Sequence, residues 1–301
     1  MKINKRKLML TGGGIALTLI FVEVALRLIW GFCDSPLSVE SDKFEYICAP
    51  SQDRHRFGHH IFYNSYSQRS DEPDSARIIV LGLGDSVING GVMTDNDSLA
   101  TTLASNDHVQ ILNISAGSWG PDNCAAYLKQ FGTFSAKKIL LVVGSGDVYD
   151  NMDFQKVVGV HKSYPKTQYK LAIWELIDRY LIPRIIKPKT LDPDQKALQG
   201  VGIHKKGKMF NPGFSQIKAM ADSLHIEMSI YLHPDQKEFD NKKYNEQGDE
   251  IMRWAQKNGV CLTKGMNMPG FGKDCYRDGI HINTKGQKIL AKWMEAETRN
   301  L

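Results

Sequence analysis

The chain has 301 residues, 42% of them hydrophobic and 24% charged, with 26 glycines. That is the composition of a packed globular protein of one or two domains, and it excludes a disordered, collagenous or disulfide-scaffold chain. Lysine and arginine (38) exceed aspartate and glutamate (33) by five, but Lys2, Lys5, Arg6 and Lys7 all precede the first acid. The rest is nearly neutral, which removes the main support for nucleic-acid binding, and a single bilayer-compatible stretch excludes a polytopic membrane protein.

In chain order, residues 1–7 form a basic tail, and Leu8–Phe32 is an apolar run interrupted only by Glu23 and Arg27. As a helix that run would extend ~37 Å, against a hydrocarbon core of ~30 Å. Glu23 and Arg27 stand four apart and can neutralise each other on one helix face, with Trp30 at the interface. A cleaved signal peptide would need small residues before the cut, and Gly31-Phe32-Cys33 offers a poor site. A lipobox is disfavoured by Phe32, and a buried core helix by the basic flank. The expectation is an uncleaved single-pass anchor over 8–32 in the inner or plasma membrane, with the tail cytoplasmic and the remainder outside.

Residues 33–75 are polar, dotted with aromatics and weakly periodic, and read as a linker with an irregular lead-in. A domain over 76–301 follows, with short apolar runs at Ile78–Leu81, Val109–Ile114, Ile139–Val143, Ile226–Leu232 and Val260–Leu262. Amphipathic segments at 97–105, 122–135, 214–224, 243–258 and 284–298 lie between and after them. Near-continuous apolar strands separated by helices predict a parallel sheet covered on both faces. Residues 152–211 break the alternation with one helix, Gln168–Ile182, then Pro183, Pro188, Pro193 and a basic Lys205-Lys206-Gly207-Lys208 turn. An insertion of this size predicts a lid or substrate wall. Leu171, Trp174, Ile177, Tyr180 and Leu181 recur at helical spacing and read as packing onto the domain in preference to membrane contact. The five cysteines (33, 48, 124, 261, 275) include no CxxC pair, against a zinc ribbon or thioredoxin-like site. Cys261 with Cys275 is a candidate disulfide, with free buried thiols as the alternative.

Three strand ends carry chemistry, where open α/β sheets bind ligands. In Gly82-Leu83-Gly84-Asp85-Ser86 a serine follows a strand and a tight turn, placed as a nucleophile would be. In Asp278-Gly279-Ile280-His281 a carboxylate three residues before a histidine can hold Nδ1–H, leaving Nε2 to take a proton from a serine. After the second strand, in Asn113-Ile114-Ser115-Ala116-Gly117, the Gly117 N–H can face the same cleft. Each alone also reads as an ordinary turn or helix cap.

Together, in this order, they resemble the SGNH (GDSL-type) hydrolase superfamily over roughly residues 60–298, most closely in VLGLGDSVINGG and YRDGIHINTKGQKILAKWM. The lead-in YNSYSQRS is similar to the segment before the serine in membrane-anchored members. The resemblance implies a flavodoxin-like three-layer α/β/α sandwich and ester hydrolysis or acyl transfer without cofactor or metal. It implies Ser86 as nucleophile, His281 as base and Asp278 as its orienter, with the N–H groups of Ser86 and Gly117 in the oxyanion hole.

The superfamily's Gly-x-Asn-Asp block aligns with Gly144-Ser145-Gly146-Asp147, so Gly146 stands where an oxyanion-donating asparagine is expected. Ser145, Asn89 or Asn151 are the candidates to replace it. Loss of one such donor costs about 10²–10³ in rate. His55, His59 and His60 read as a solvated loop rather than a metal centre, and Lys205–Lys208 as a solvated turn. The function expected is a serine esterase acting on acyl, foremost acetyl, esters of an envelope or exported carbohydrate. The alternatives are an O-acyltransferase using the same triad and a catalytically degenerate binding module.

Overall fold

The computed structural model describes residues 5–185, 203, 205 and 207–301. The basic residue Lys2, and Pro188, Pro193 and Lys206 of the insertion, lie outside the described residues. Helix α1 (Lys5–Trp30) opens the chain, and its part Met9–Trp30 is long and apolar enough to cross a membrane. Glu23 and Arg27 pair on one face of α1 at 2.7 Å, as their spacing predicts.

Two antiparallel hairpins follow, β1 (Ser38–Ser41) with β2 (Glu45–Cys48) and β3 (Gln52–Arg56) with β4 (His59–Tyr63). Residues 38–63, expected to be part of a linker with an irregular lead-in, are therefore paired strands, and only 33–37 and 64–75 lack regular elements. The pattern hid them because polar side chains do the packing. Gln52 is buried while exchanging hydrogen bonds with the Leu37 backbone at 2.8 and 2.9 Å. Arg69 is fully buried and donates to the carbonyls of Asn89, Gly91 and Thr94.

The main sheet comprises β5 (Ile78–Gly84), β6 (Val109–Ser115), β7 (Lys138–Gly144), β8 (Glu227–His233) and β9 (Cys261–Lys264), all parallel, in the order β6-β5-β7-β8-β9. This is the 2-1-3-4-5 order of flavodoxin-like doubly wound sheets, whose switch point falls between β5 and β7. Every residue of β6 and β7 is buried, which accounts for their unbroken apolar runs.

Successive strand residues feed opposite layers. Leu81, Leu83, Leu141 and Leu232 pack with α4 (Pro121–Phe131), α7 (Gly213–Ser223) and α9 (Glu246–Lys257). Val80, Leu140, Val142 and Tyr231 pack with α2 (Ser86–Asn89), α3 (Ala100–Ala104) and α10 (Thr284–Thr298). Each such leucine or valine withdrawn from water contributes about 1.5–3 kcal/mol. A short helix the sequence reading lacked, α8 (Gln236–Asn241), follows β8 behind the capping box of Asp235 and Glu238.

The insertion differs from expectation in three places. Its helix begins at Ala172 instead of Gln168, runs as α5 (Ala172–Leu176), passes through a π turn at Ile177–Leu181 and continues as α6 (Ile182–Ile185). Pro183 supplies no N–H to the preceding turn, which explains the irregularity. Leu171 and Trp174 are 57% and 52% exposed, so they do not pack onto the domain. The start of α5 instead hangs on α1: Glu23 accepts the N–H groups of Ala172 and Ile173 at 2.8 and 3.0 Å, and Arg27 donates to the Lys170 carbonyl at 2.7 Å. Lys205 is buried, not solvated, bridging Glu45 and Asn123 at 2.7 and 2.8 Å. Cys261 is exposed, Cys275 is buried, and both are free thiols.

Candidate active site

Strand β5 delivers Ser86 to the carboxyl edge of the sheet beside the switch point. Gly84 is required there by close approach, since a Cβ would lie 2.6 Å from the Val142 carbonyl oxygen. Asp85 then caps α2 by accepting the Val87 N–H at 2.8 Å. The Ser86 N–H, first of the helix, has no intrahelical partner. Burial pushes the carboxyls of Asp85 and Asp147 above their usual range, and at Asp147 the neighbouring carboxylates of Asp85 and Asp150 push the same way.

The partner side chains come from a tight loop between β9 and α10. An antiparallel bridge between Tyr276 and Ile282 and a bond from the Arg277 N–H to the His281 carbonyl (2.8 Å) close that loop. Asp278 accepts the N–H groups of Ile280 and His281 at 3.1 and 2.8 Å, which turns its carboxylate back onto the imidazole. His281 Nδ1 lies 3.0 and 2.9 Å from the two Asp278 oxygens, and Nε2 lies 2.9 Å from Ser86 Oγ. With Nδ1–H donated to the carboxylate, Nε2 is bare and accepts the serine hydroxyl proton. Partial burial works to raise the Asp278 carboxyl, but the two N–H groups and the imidazole outweigh it and leave it below its usual range. The structure thus brings together the three side chains singled out from Gly-Asp-Ser and Asp-x-x-His.

Gly117 lies in the same cleft. Tyr46 and Tyr164 both donate to its carbonyl, at 3.0 and 2.9 Å, and a Cβ there would sit 2.8 Å from the Tyr164 hydroxyl. The asparagine substitutes fare differently. The Ser145 hydroxyl is committed to Glu238 at 2.6 Å. Asn89 borders the cleft, but its amide donates to the Ser115 carbonyl and hydroxyl at 3.0 and 3.2 Å. Neither Asn151 nor Gly146 lines the cleft. Gly146 is exposed, and a Cβ there would have no atom within 4 Å.

The cleft measures about 320 Å³, and Tyr63, Tyr164, Arg179 and Arg277 contribute to its wall. A wider depression lined by Lys138, Glu227 and Glu297 lies at the opposite, amino end of the strands. Sequence reasoning missed several residues that hold the site. His233, buried at the end of β8, donates from Nε2 to the Ile280 carbonyl at 2.7 Å, inside the loop that carries Asp278 and His281. Burial lowers its pKa to about 4, so it acts as a neutral strut. His233 carried no motif, its only signal being a polar residue just past a predicted apolar strand, whereas Arg69 belongs to the YNSYSQRS lead-in already singled out.

No family model matches the chain, and no curated protein matches it by sequence. Solved structures similar to it include the psychrotrophic esterase EstA from Pseudoalteromonas sp. (12% identity, 74% of this chain and 97% of that one, TM-score 0.41). Others are the carbohydrate acetylesterase family member from Sinorhizobium meliloti (13%, 74% and 98%, 0.39) and the acetyl xylan esterase AlAXEase (15%, 73% and 100%, 0.42). Likeness at this level decides neither reaction nor substrate.

Proposed function

We propose that the chain is a membrane-anchored serine esterase of the SGNH superfamily, acting on acetyl or other short acyl esters of an envelope or exported carbohydrate. The observation that carries the reading is the Ser86–His281–Asp278 relay, with 2.9 Å between base and hydroxyl. As the Ser86 oxygen attacks the acyl carbonyl, His281 takes its proton, and the oxyanion develops towards the N–H groups of Ser86 and Gly117. Collapse expels the alcohol, which leaves with the proton from His281. Water, deprotonated by the same imidazole, then releases the carboxylic acid and restores Ser86. Tyrosine and arginine side chains around the cleft suit an oxygen-rich acceptor such as a sugar.

The basic tail and α1 support the membrane assignment. Leu171 and Trp174, exposed, flank Ala172 and Ile173, whose N–H groups Glu23 of α1 accepts. A transferase reading is favoured by one feature: Ser163, Tyr164, Arg179 and Tyr180 of the insertion wall the cleft, and a cleft shielded from water would favour a sugar hydroxyl as acceptor. Membranes carrying the full chain should release acetate from an O-acetylated polysaccharide, and a reporter after Leu301 should be active outside the cytoplasm. Net acetylation of the polysaccharide would replace the hydrolase by the transferase. A reporter active only in the cytoplasm would refute the topology.

The unfilled oxyanion position supplies a further test. Gly146→Asn is expected to fold with an unchanged Tm, because its Cβ meets nothing and Gly146 is not among the positive-φ residues. Turnover of a nitrophenyl ester is expected to rise by no more than about tenfold, below the ~10²–10³ of an optimised donor, because the new side chain must reach in from outside the cleft wall with nothing built to hold it. A folded variant with unchanged or lower turnover would mean that this position does not face the developing charge.

A further inference from the structure

On the outer face of the β3–β4 hairpin, three side chains with metal-ligating atoms converge. The register places His55 opposite His60, and Asp53 lies two residues before His55 on the same face. The His60 Nε2 atom is 2.8 Å from Asp53 Oδ1, and the His55 and His60 rings stack with centroids 4.9 Å apart. One ligand atom from each of the three lies within 4.8 Å of the others. We propose that Asp53, His55 and His60 form a binding site for a divalent late first-row cation of the zinc class, with a further position open to water.

The donor set argues for this ion class. Two imidazoles with one carboxylate suit Zn²⁺, Ni²⁺ or Cu²⁺, whereas Ca²⁺ and Mg²⁺ call for oxygen ligands. Bonds of about 2.0–2.1 Å in tetrahedral geometry place ligand atoms about 3.4 Å apart, so small side-chain rotations close the site. The backbone beneath is fixed in advance. Phe57 and Gly58 turn the hairpin with φ of 51° and 79°, the positive values of a type I′ turn. Asp95 and Asn96 accept the N–H groups of His60 and Phe62, both at 3.0 Å. The opposite face buries Arg56, Ile61 and Tyr63, and Arg56 and Tyr63 also border the cleft. A bound ion would pin together the two strands whose inner face forms part of the cleft wall. This inference does not depend on the esterase reading.

The test uses the full chain in detergent, purified without a polyhistidine tag, stripped with a chelator and titrated with Zn²⁺ against a chromophoric indicator. One ion per chain is expected at micromolar or tighter affinity. The His55→Ala and His60→Ala variants should each weaken it at least about 100-fold, and Asp53→Asn about tenfold. His225→Ala and His59→Ala, which alter histidines outside this face, should leave it unchanged, and all variants should keep the parent Tm without metal. Absence of stoichiometric binding, or binding that survives His55→Ala and His60→Ala, would overturn the proposal.

Discussion

Replacing Ser86 by alanine is expected to lower nitrophenyl ester turnover by at least about 10³-fold, and His281→Ala by nearly as much. The double variant should lose no more than the worse single one, because nucleophile and base act as a unit. Asp278→Asn should also cost several orders of magnitude: the amide can hold His281 with its proton on the wrong nitrogen. Ser86 and His281 are each only partly buried, so their truncation should leave Tm within a few degrees of the parent. Turnover within tenfold of the parent in folded Ser86→Ala would assign the reaction elsewhere.

Glu175→Ala is expected to be the most destabilising single substitution outside the sheet core. Glu175 is fully buried and accepts Arg56 at 2.6 Å, Arg179 at 3.1 Å and the Cys33 N–H at 2.6 Å. It therefore joins the end of α1, the second hairpin and α5. Its removal strands the buried Arg56 guanidinium, which costs about 3–5 kcal/mol. The apolar pair Arg56→Met with Glu175→Leu should recover most of that loss, since it removes both charges together. Denaturant unfolding of the detergent-solubilised chain measures both. A loss below about 1 kcal/mol for Glu175→Ala would mean that water reaches the pair.

Where folding follows apolar periodicity, the sequence was legible. The five sheet strands form where Ile78–Leu81, Val109–Ile114, Ile139–Val143, Ile226–Leu232 and Val260–Leu262 predict them, with boundaries that coincide or differ by up to three residues. The three candidate site residues were legible for a different reason: Gly-Asp-Ser and Asp-x-x-His, each ambiguous alone, together and in this order resemble the SGNH superfamily. The hairpins were not legible because β3 reads Gln-Asp-Arg-His-Arg, and its inward residues are polar groups satisfied by distant partners. Lys205 looked solvated because its partner Glu45 lies 160 residues earlier. Leu171 and Trp174 have a helical period that describes a face without saying what covers it. His233 acts through a backbone carbonyl 47 residues away, and no local spacing encodes such a contact.

The central claim is that Ser86 is an activated nucleophile, and a fluorophosphonate serine probe tests it without knowledge of the substrate. Mass mapping of the labelled full chain should find the adduct on Ser86 alone, with labelling abolished in His281→Ala, because serine reacts only when a positioned base takes its proton. Equal labelling of a folded Ser86→Ala variant would contradict the account, as would a parent chain that the probe leaves unmodified.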